Sequence, residues 1–390
     1  MKSFSNAVLL LVLCITFLST VECAKFTVGL KRHQKPKRHI VRDDSNSTTP
    51  KTYGELMASQ HNLEYQGLVT VGTPPQIFQV IFDTGSDVFW LPKKGCTSTG
   101  DDTDACASGK GLYDPSASKT SKDTKQPFQI EYGTGSATGE YYQDVLSFGD
   151  ASNSSIVSIG NVTLGAAQHM TFSDQGILGL SFPVQNDFTP VFITAAKRKV
   201  FDKPIFTVFL KKCKDDCDDG GLITFGGFDN QNCKKIIGAT SLIGGVPYWM
   251  FKVNSIGTKG AVVKNQKAIV DTGTSIIIGP QSAVGKILKK IGAKDIGGGN
   301  YIANCNAKFS LNLNINGKKY SVSSTQMLLD QGQGICQVAL GYDPEINFWI
   351  LGDPFLRQYC TVHNVVKKIV QFAPTKNGSG KRTGKKGRRG

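Results

Sequence analysis

No Gly-x-Ser-x-Gly occurs in the 390 residues, and the five histidines lie outside any nucleophile motif, so serine and cysteine catalysis find no support. Zinc is no better served. Cys213 and Cys217 have a usable spacing, but no second close Cys or His pair completes a tetrahedral set. Past the N-terminus no apolar run is long enough to cross a bilayer, and the C-terminal stretch has no apolar end of the kind a lipid-anchor signal needs. Gly378-Ser379-Gly380-Lys381 lacks the leading glycine spacing and the preceding strand of a phosphate-binding loop. The charges around it have no interleaved aromatics, which argues against nucleic-acid binding.

What is present is rich in glycine, with short Val, Ile, Phe, Tyr and Thr runs between Gly, Asn and Pro, the pattern of a mostly β chain long enough for two cores. Lys2 followed by the apolar run Ala7 to Leu18 and small residues before Cys23 reads as a signal peptide over 1–23. The chain is therefore expected in the secretory pathway, secreted or in an acidic lysosome-like compartment, with no stable membrane anchor. Cys14 and Cys23 leave with that segment, and the eight remaining cysteines read as disulfides. Asn46, Asn153, Asn161 and Asn377 each begin a glycosylation sequon.

The formal charge of +15 is unevenly placed. Residues 24–52 carry eight Lys/Arg against Asp43 and Asp44, and residues 374–390 carry seven Lys/Arg and no acid, leaving +2 for residues 53–373. The segment 24–58 reads as a basic prosegment and 374–390 as a basic, disordered tail contacting anionic surfaces or trimmed after secretion.

Two triplets organise the rest. Ile81-Phe82-Asp83-Thr84-Gly85-Ser86 and Ile269-Val270-Asp271-Thr272-Gly273-Thr274 each read as a buried strand stopping at a carboxylate. The glycine is expected to permit a tight turn and the hydroxyls on either side to hydrogen-bond the acid. Each triplet is followed, 96 or 81 residues after its Asp, by the glycine of an Ile-Leu-Gly: Ile177-Leu178-Gly179 and Ile350-Leu351-Gly352. Matched order in both halves predicts a duplicated lobe, with an N-terminal lobe over 59–237, a C-terminal lobe over 238–373 and a boundary between about Asn230 and Gly245. Phe128 to Tyr132 and Tyr141 to Phe148 predict a hairpin with the glycine-rich tip Gly133 to Gly139. Helices are predicted over Val191 to Lys199, with Thr189 as cap, and over Ser282 to Ile291 after Pro280.

Five blocks in order carry a resemblance: Asp83-Thr84-Gly85-Ser86, Ile130 to Ser136, Gly176 to Leu180, Asp271 to Ser275, and Ile350 to Tyr359. Over about residues 60–373 the chain resembles the pepsin-like aspartic proteases. That resemblance implies a mainly β, bilobal pepsin-like fold with a cleft between the lobes and no cofactor or metal. It implies a monomeric aspartic endopeptidase acting on protein or peptide substrates at acid pH, inhibited by pepstatin-type compounds and made as a zymogen. In such a zymogen the prosegment is an intramolecular inhibitor, with Lys35, Lys37 and Arg38 the candidates to cover the acids. By match, Asp83 and Asp271 are the catalytic dyad and Ser86 and Thr274 its supporting hydroxyls. Tyr132, Gly133, Thr134, Trp90, Gly85 and Gly273 belong to the flap and cleft. The match favours disulfides Cys96–Cys106 and Cys305–Cys336. The remaining four cysteines pair as Cys213–Cys217 and Cys233–Cys360 in one of several possible arrangements. The alternative function is a catalytically silent pepsin-like peptide binder. Two departures from the pattern stand out: Asp87, an extra acid expected to face solvent, and His363-Asn364, where an Asp-containing turn is usual.

Overall fold

In the computed structural model, residues 53–376 are described apart from short segments at 61–63, 100–104, 134, 150–155, 172–175, 185–187 and 214–216. The signal segment, the basic residues 24–52 with Lys35, Lys37 and Arg38, the basic tail from 377, and Asn46, Asn153 and Asn377 all lie outside the described residues.

The strands show why the chain folds as β. Along Gly135–Phe148 buried and half-exposed positions alternate towards the C-terminal end, which places one face of the strand on the core. Gln76–Asp83 differs, because its last four residues are all buried. A strand end buried on both faces needs neighbours on both edges, and it has them. Glu64–Val71 pairs antiparallel on one side, and Ile177–Gly179 pairs parallel on the other, with Ile81 opposite Ile177 and Asp83 opposite Gly179.

The second half repeats this arrangement. Ala261–Val270 runs into its triplet with Trp349–Leu351 parallel beside it, Ile269 opposite Ile350 and Val270 opposite Leu351. In both halves the strand leaving the triplet returns to pair antiparallel with the same Ile-Leu element. Phe89 and Trp90 meet Leu178 and Ile177, while Ile277 and Ile278 meet Leu351 and Ile350. The Ile-Leu-Gly segments are thus each clasped between the strand that enters a triplet and the strand that leaves it. Their glycines are required by this crossing: a Cβ at Gly179 would lie 2.4 Å from the Asp87 carbonyl carbon, and one at Gly352 would lie 2.1 Å from the Thr274 carbonyl oxygen.

The halves are not separate sheets. The largest sheet has thirteen strands among the described residues, and Ile205–Leu210 lies in it beside Tyr359–Asn364 from the end of the chain. Ile369–Pro374 and Gly238–Ser241 continue that edge. The last of these strands falls inside the stretch where the lobe boundary was expected. On the other side of Ile205–Leu210 the sheet runs through Cys217–Phe225 to Tyr53–Gln60, a strand that straddles residue 58. A seven-stranded sheet carrying the second triplet and a four-stranded sheet complete the second half. The fold is therefore mainly β and bilobal, with a shared sheet joining the lobes.

Both predicted helices are present, as Val191–Lys197 and Gln281–Ile291. Thr189 does not cap the first. Pro190 is the N-cap residue of that helix and no side chain closes its first turn; the Thr194 hydroxyl instead donates to the Thr189 carbonyl at 3.2 Å. The second helix ends at Gly292 in the left-handed conformation (φ 73°), as expected for a C-terminal glycine.

Disulfides join Cys96 to Cys106, Cys233 to Cys360 and Cys305 to Cys336. Cys213 is also disulfide-bonded, and the side chain of its expected partner, Cys217, lies outside the described residues.

Candidate active site

The two triplets meet at the junction of the lobes and are tied to each other through their central threonines. The Thr84 amide donates to Thr272 Oγ1 at 2.9 Å, and the Thr272 amide donates to Thr84 Oγ1 at 3.0 Å. Each hydroxyl then reaches past the opposite triplet: Thr84 Oγ1 donates to the Val270 carbonyl at 2.9 Å and Thr272 Oγ1 to the Phe82 carbonyl at 2.5 Å. All four bonds are buried. At about 1 kcal/mol net apiece they are worth several kcal/mol together, and their symmetry fixes the two turns in register. The expectation that both flanking hydroxyls serve the acid holds only for the outer ones.

Asp83 and Asp271, each about 95% buried, face one another across this knot. Their inner and outer oxygens are held alike. The Gly85 amide donates to Asp83 Oδ1 at 2.8 Å and Ser86 Oγ to Asp83 Oδ2 at 2.5 Å. The Gly273 amide donates to Asp271 Oδ1 at 2.9 Å and Thr274 Oγ1 to Asp271 Oδ2 at 2.5 Å. Glycine is needed after each threonine for clearance, since neither residue has positive φ. A Cβ on Gly85 would sit 2.6 Å from Asp271 Oδ1, and one on Gly273 would sit 2.5 Å from Asp83 Oδ1. The glycine of each half thus makes room for the carboxylate of the other.

Burial, the neighbouring charge of Asp271 and a hydrogen bond between the two carboxyls raise Asp83 well above the ordinary aspartate range, against the lowering effect of Ser86 and the Gly85 amide. The arrangement favours one proton held between two acids, the known behaviour of an aspartic-protease dyad.

Beside the dyad lies a cavity of about 870 Å³, bounded on one side by Ser86 and Asp87 and on the other by the hairpin residues Ile130, Glu131 and Tyr132. The strands Lys122–Tyr132 and Gly135–Phe148 form that hairpin. Thr134 lies outside the described residues, and nothing stands within 4 Å of where a Gly133 Cβ would be. Tyr132 pairs with Gly135 at the last rung before the turn, so Gly135 to Gly139 belong to the strand and not to the tip as expected. Fully buried Trp90 donates its indole Nε1 to the Tyr132 hydroxyl at 2.9 Å and anchors that ring.

Asp87 does not face solvent. It is 4% exposed and accepts the Val184 amide on Oδ2 at 2.7 Å, while burial raises its carboxyl above the usual range. That contact pins the Phe182-to-Val184 segment against the first triplet. Its partner is 97 residues away, so nothing local announced the role. The other side of the cavity is closed by Pro247 and Tyr248 from the second half. The Phe182 amide donates to the Pro247 carbonyl at 3.0 Å, and the Trp249 indole donates to the Leu180 carbonyl at 3.1 Å. Sequence reasoning missed these residues, and it aimed Thr84 and Thr272 at the acids rather than at each other. The one available signal was the identity of the middle residue in both triplets.

His363 is also buried, stacked on Phe206 (4.4 Å, 10°) and set edge-on against Trp249 (4.7 Å). Neither ring nitrogen has a well-formed hydrogen bond, and burial holds its pKa at about 3. Asn364 takes over the turn: its Oδ1 accepts the Val366 and Lys367 amides at 3.1 and 2.8 Å.

Among the described residues the one cluster with metal-ligand spacing is Cys305, Asp330 and Cys336, and its two sulfurs are joined to each other. No helix of the described residues is long and apolar enough to cross a membrane.

The family model for eukaryotic aspartyl proteases matches residues 64–375. Among curated proteins the chain is similar to Aspartic protease 6 of Caenorhabditis elegans, 34% identical over 333 residues, covering 80% of this chain and 82% of that protein. It is 33% identical over 340 residues to Cathepsin E of Aquarana catesbeiana, covering 84% and 83% of the two chains. It is 34% identical over 330 residues to Pepsin A of Suncus murinus, covering 80% and 81%. The buried acid pair, its mirrored donors and these matches together place the chain in the eukaryotic aspartyl protease family, whose chemistry is aspartic-type endopeptidase hydrolysis.

Proposed function

We propose that this protein hydrolyses internal peptide bonds of protein substrates at acid pH, with Asp83 and Asp271 as the catalytic residues. The observation that carries this reading is the pair of buried carboxyls, hydrogen-bonded to one another and supported by Ser86 and Thr274. With one proton on the pair, the ionised carboxyl takes a proton from water as the water oxygen attacks the carbonyl carbon. The protonated carboxyl gives its proton to the carbonyl oxygen. The carboxyl that took the water proton then gives it to the amide nitrogen. The C–N bond breaks as a hydroxyl of the tetrahedral intermediate returns its proton to the other carboxylate, and the pair again holds one proton. No covalent enzyme intermediate is needed. Tyr132, with Gly133 and Thr134 at the hairpin tip, closes over the substrate and excludes water, and Trp90 holds Tyr132 in place.

The pH dependence follows from the shared proton. Asp83 binds it more tightly than an ordinary aspartate does, so activity persists above the usual carboxylate range and fails as pH rises through the raised value. The basic segment 24–58 serves as an intramolecular inhibitor, its cations attracted to the acids at neutral pH and released as carboxylates protonate. The mature protein is a monomer in the secretory route, secreted or in an acidic vesicle, and Asn161, exposed on its strand, is available for glycosylation.

Asp83→Asn assayed on denatured haemoglobin across pH 3–7, with and without pepstatin, is the test. Pepstatin-sensitive cleavage by the parent and none by the variant is expected. Tight pepstatin binding by a parent that cleaves nothing would instead identify a peptide binder. Incubation of the full chain at pH 4 checks the zymogen: activity from the first moment with no loss of mass would rule it out.

A further inference from the structure

The cavity beside Asp83 has a chemistry of its own. Its walls are aromatic, with Tyr132, Tyr141, Phe188 and Tyr248 all lining it. Two acids also line it. Asp87 is buried at its floor and tied to the Val184 amide, and Glu131 is exposed on the hairpin. No Lys, Arg or His is among the lining residues, although the chain carries 45 Lys and Arg. Two cations are engaged close by: Lys125 is paired with Asp123 at 2.7 Å, and Lys368 lies over the ring of Phe182, itself a lining residue, at 5.6 Å. Among the described residues Glu131 enters no ion pair, and its one polar contact is a long 3.5 Å approach from Gln129 Nε2.

Aromatic walls combined with an acid that enters no ion pair among the described residues suit one kind of side chain best. A long aliphatic stem lies along aromatic rings while its cationic head reaches the acid, and the ring faces add their own attraction for the cation. A purely apolar side chain would use the walls but leave the Glu131 charge unanswered. An acidic one would be repelled by it.

We infer that this cavity is a substrate subsite selecting lysine or arginine, with Glu131 as its specificity-determining residue and Asp87 positioning the wall opposite. The inference rests on the endopeptidase reading and adds the substrate class to it. Peptides carrying lysine, norleucine or glutamate at each of six positions around one cut bond, assayed at about pH 5.5 with acid-treated full chain, test it. At one position lysine should exceed norleucine in kcat/KM by about fivefold, and glutamate should be the poorest. Glu131→Gln should bring the lysine-to-norleucine ratio at that position close to one. Binding of a non-cleavable reduced-amide peptide, read by fluorescence polarisation, should show the same loss of lysine preference. Indifference to lysine at every position, or a preference that survives Glu131→Gln in both measurements, would overturn the inference while leaving the endopeptidase reading intact. A parent that cuts no peptide and binds none would overturn both.

Discussion

The two Asp-Thr-Gly turns are close copies in backbone and unlike in surroundings. Amide, hydroxyl and crossing threonine bonds repeat from one to the other within about 0.1 Å, apart from the Thr84 and Thr272 hydroxyl bonds to the opposite strands. Only the first turn is followed by a buried acid, Asp87, and only the first stands beneath the hairpin that carries Tyr132. Symmetry therefore positions the two carboxyls, and asymmetry gives them a substrate side. A duplicated scaffold solves the harder problem once: holding two like charges together needs matched donors, which the copying of one loop supplies.

The largest effect should come from breaking the pair itself. Asp83→Asn and Asp271→Asn are each expected to lower kcat about 10³-fold or more, and the double variant should be scarcely worse than either single one, because one proton-sharing unit is lost in each case. Additive losses in a kinetic cycle would mean that the two acids act independently.

The joint between halves comes next. His363 sits near 3 in the fold against 6.5 when exposed, so it stays neutral in the native protein while the unfolded chain gains a proton below 6.5. Stability from this group is complete above 6.5 and drains as pH falls towards 3, by about 1.4 kcal/mol per pH unit. His363→Phe should remove that slope. Chemical denaturation at pH 7 and pH 4 measures it, and equal slopes in parent and variant would contradict the account.

Thr84→Val and Thr272→Val test whether the crossed threonines are equivalent. Each removes a donor and an acceptor from a buried network, at an expected cost of about 2–3 kcal/mol in unfolding free energy. A large difference between the two would show that the symmetry is geometric but not energetic. The smallest effect concerns the outer hydroxyls. Ser86 lowers the Asp83 pKa, so Ser86→Ala should move the alkaline limb of the pH–activity curve upward by less than about one unit. A downward shift would reverse the assigned sign.

How much of this was legible in the chain depends on how far each partner lies. The triplets were readable because a buried strand stopping at Asp-Thr-Gly is a local pattern, and the Ile-Leu-Gly repeats because a short apolar strand between turns is another. Asp87 was misjudged because solvent exposure was the sensible expectation for an acid in a turn, and its partner amide at Val184 comes from a distant segment. The threonine crossing spans 188 residues and needs both halves assembled. His363 is a polar residue in sequence and an aromatic core residue in the fold, a change made by Phe206 and Trp249 from two other elements. The lobe boundary was blurred for a related reason: residues from both halves share one sheet.

That shared sheet has a consequence for biosynthesis. The chain emerges from the ribosome N-terminus first, yet Ile205–Leu210 gains its outer neighbour only when Tyr359–Asn364 arrives, about 150 residues later. Until then one edge of the first lobe offers unpaired backbone groups beside an apolar core, the condition under which nascent β proteins recruit chaperones or misassociate. Cys233 likewise waits for Cys360, 127 positions downstream. Emergence of Tyr359–Asn364, rather than synthesis of the first lobe, is thus the moment at which this sheet closes.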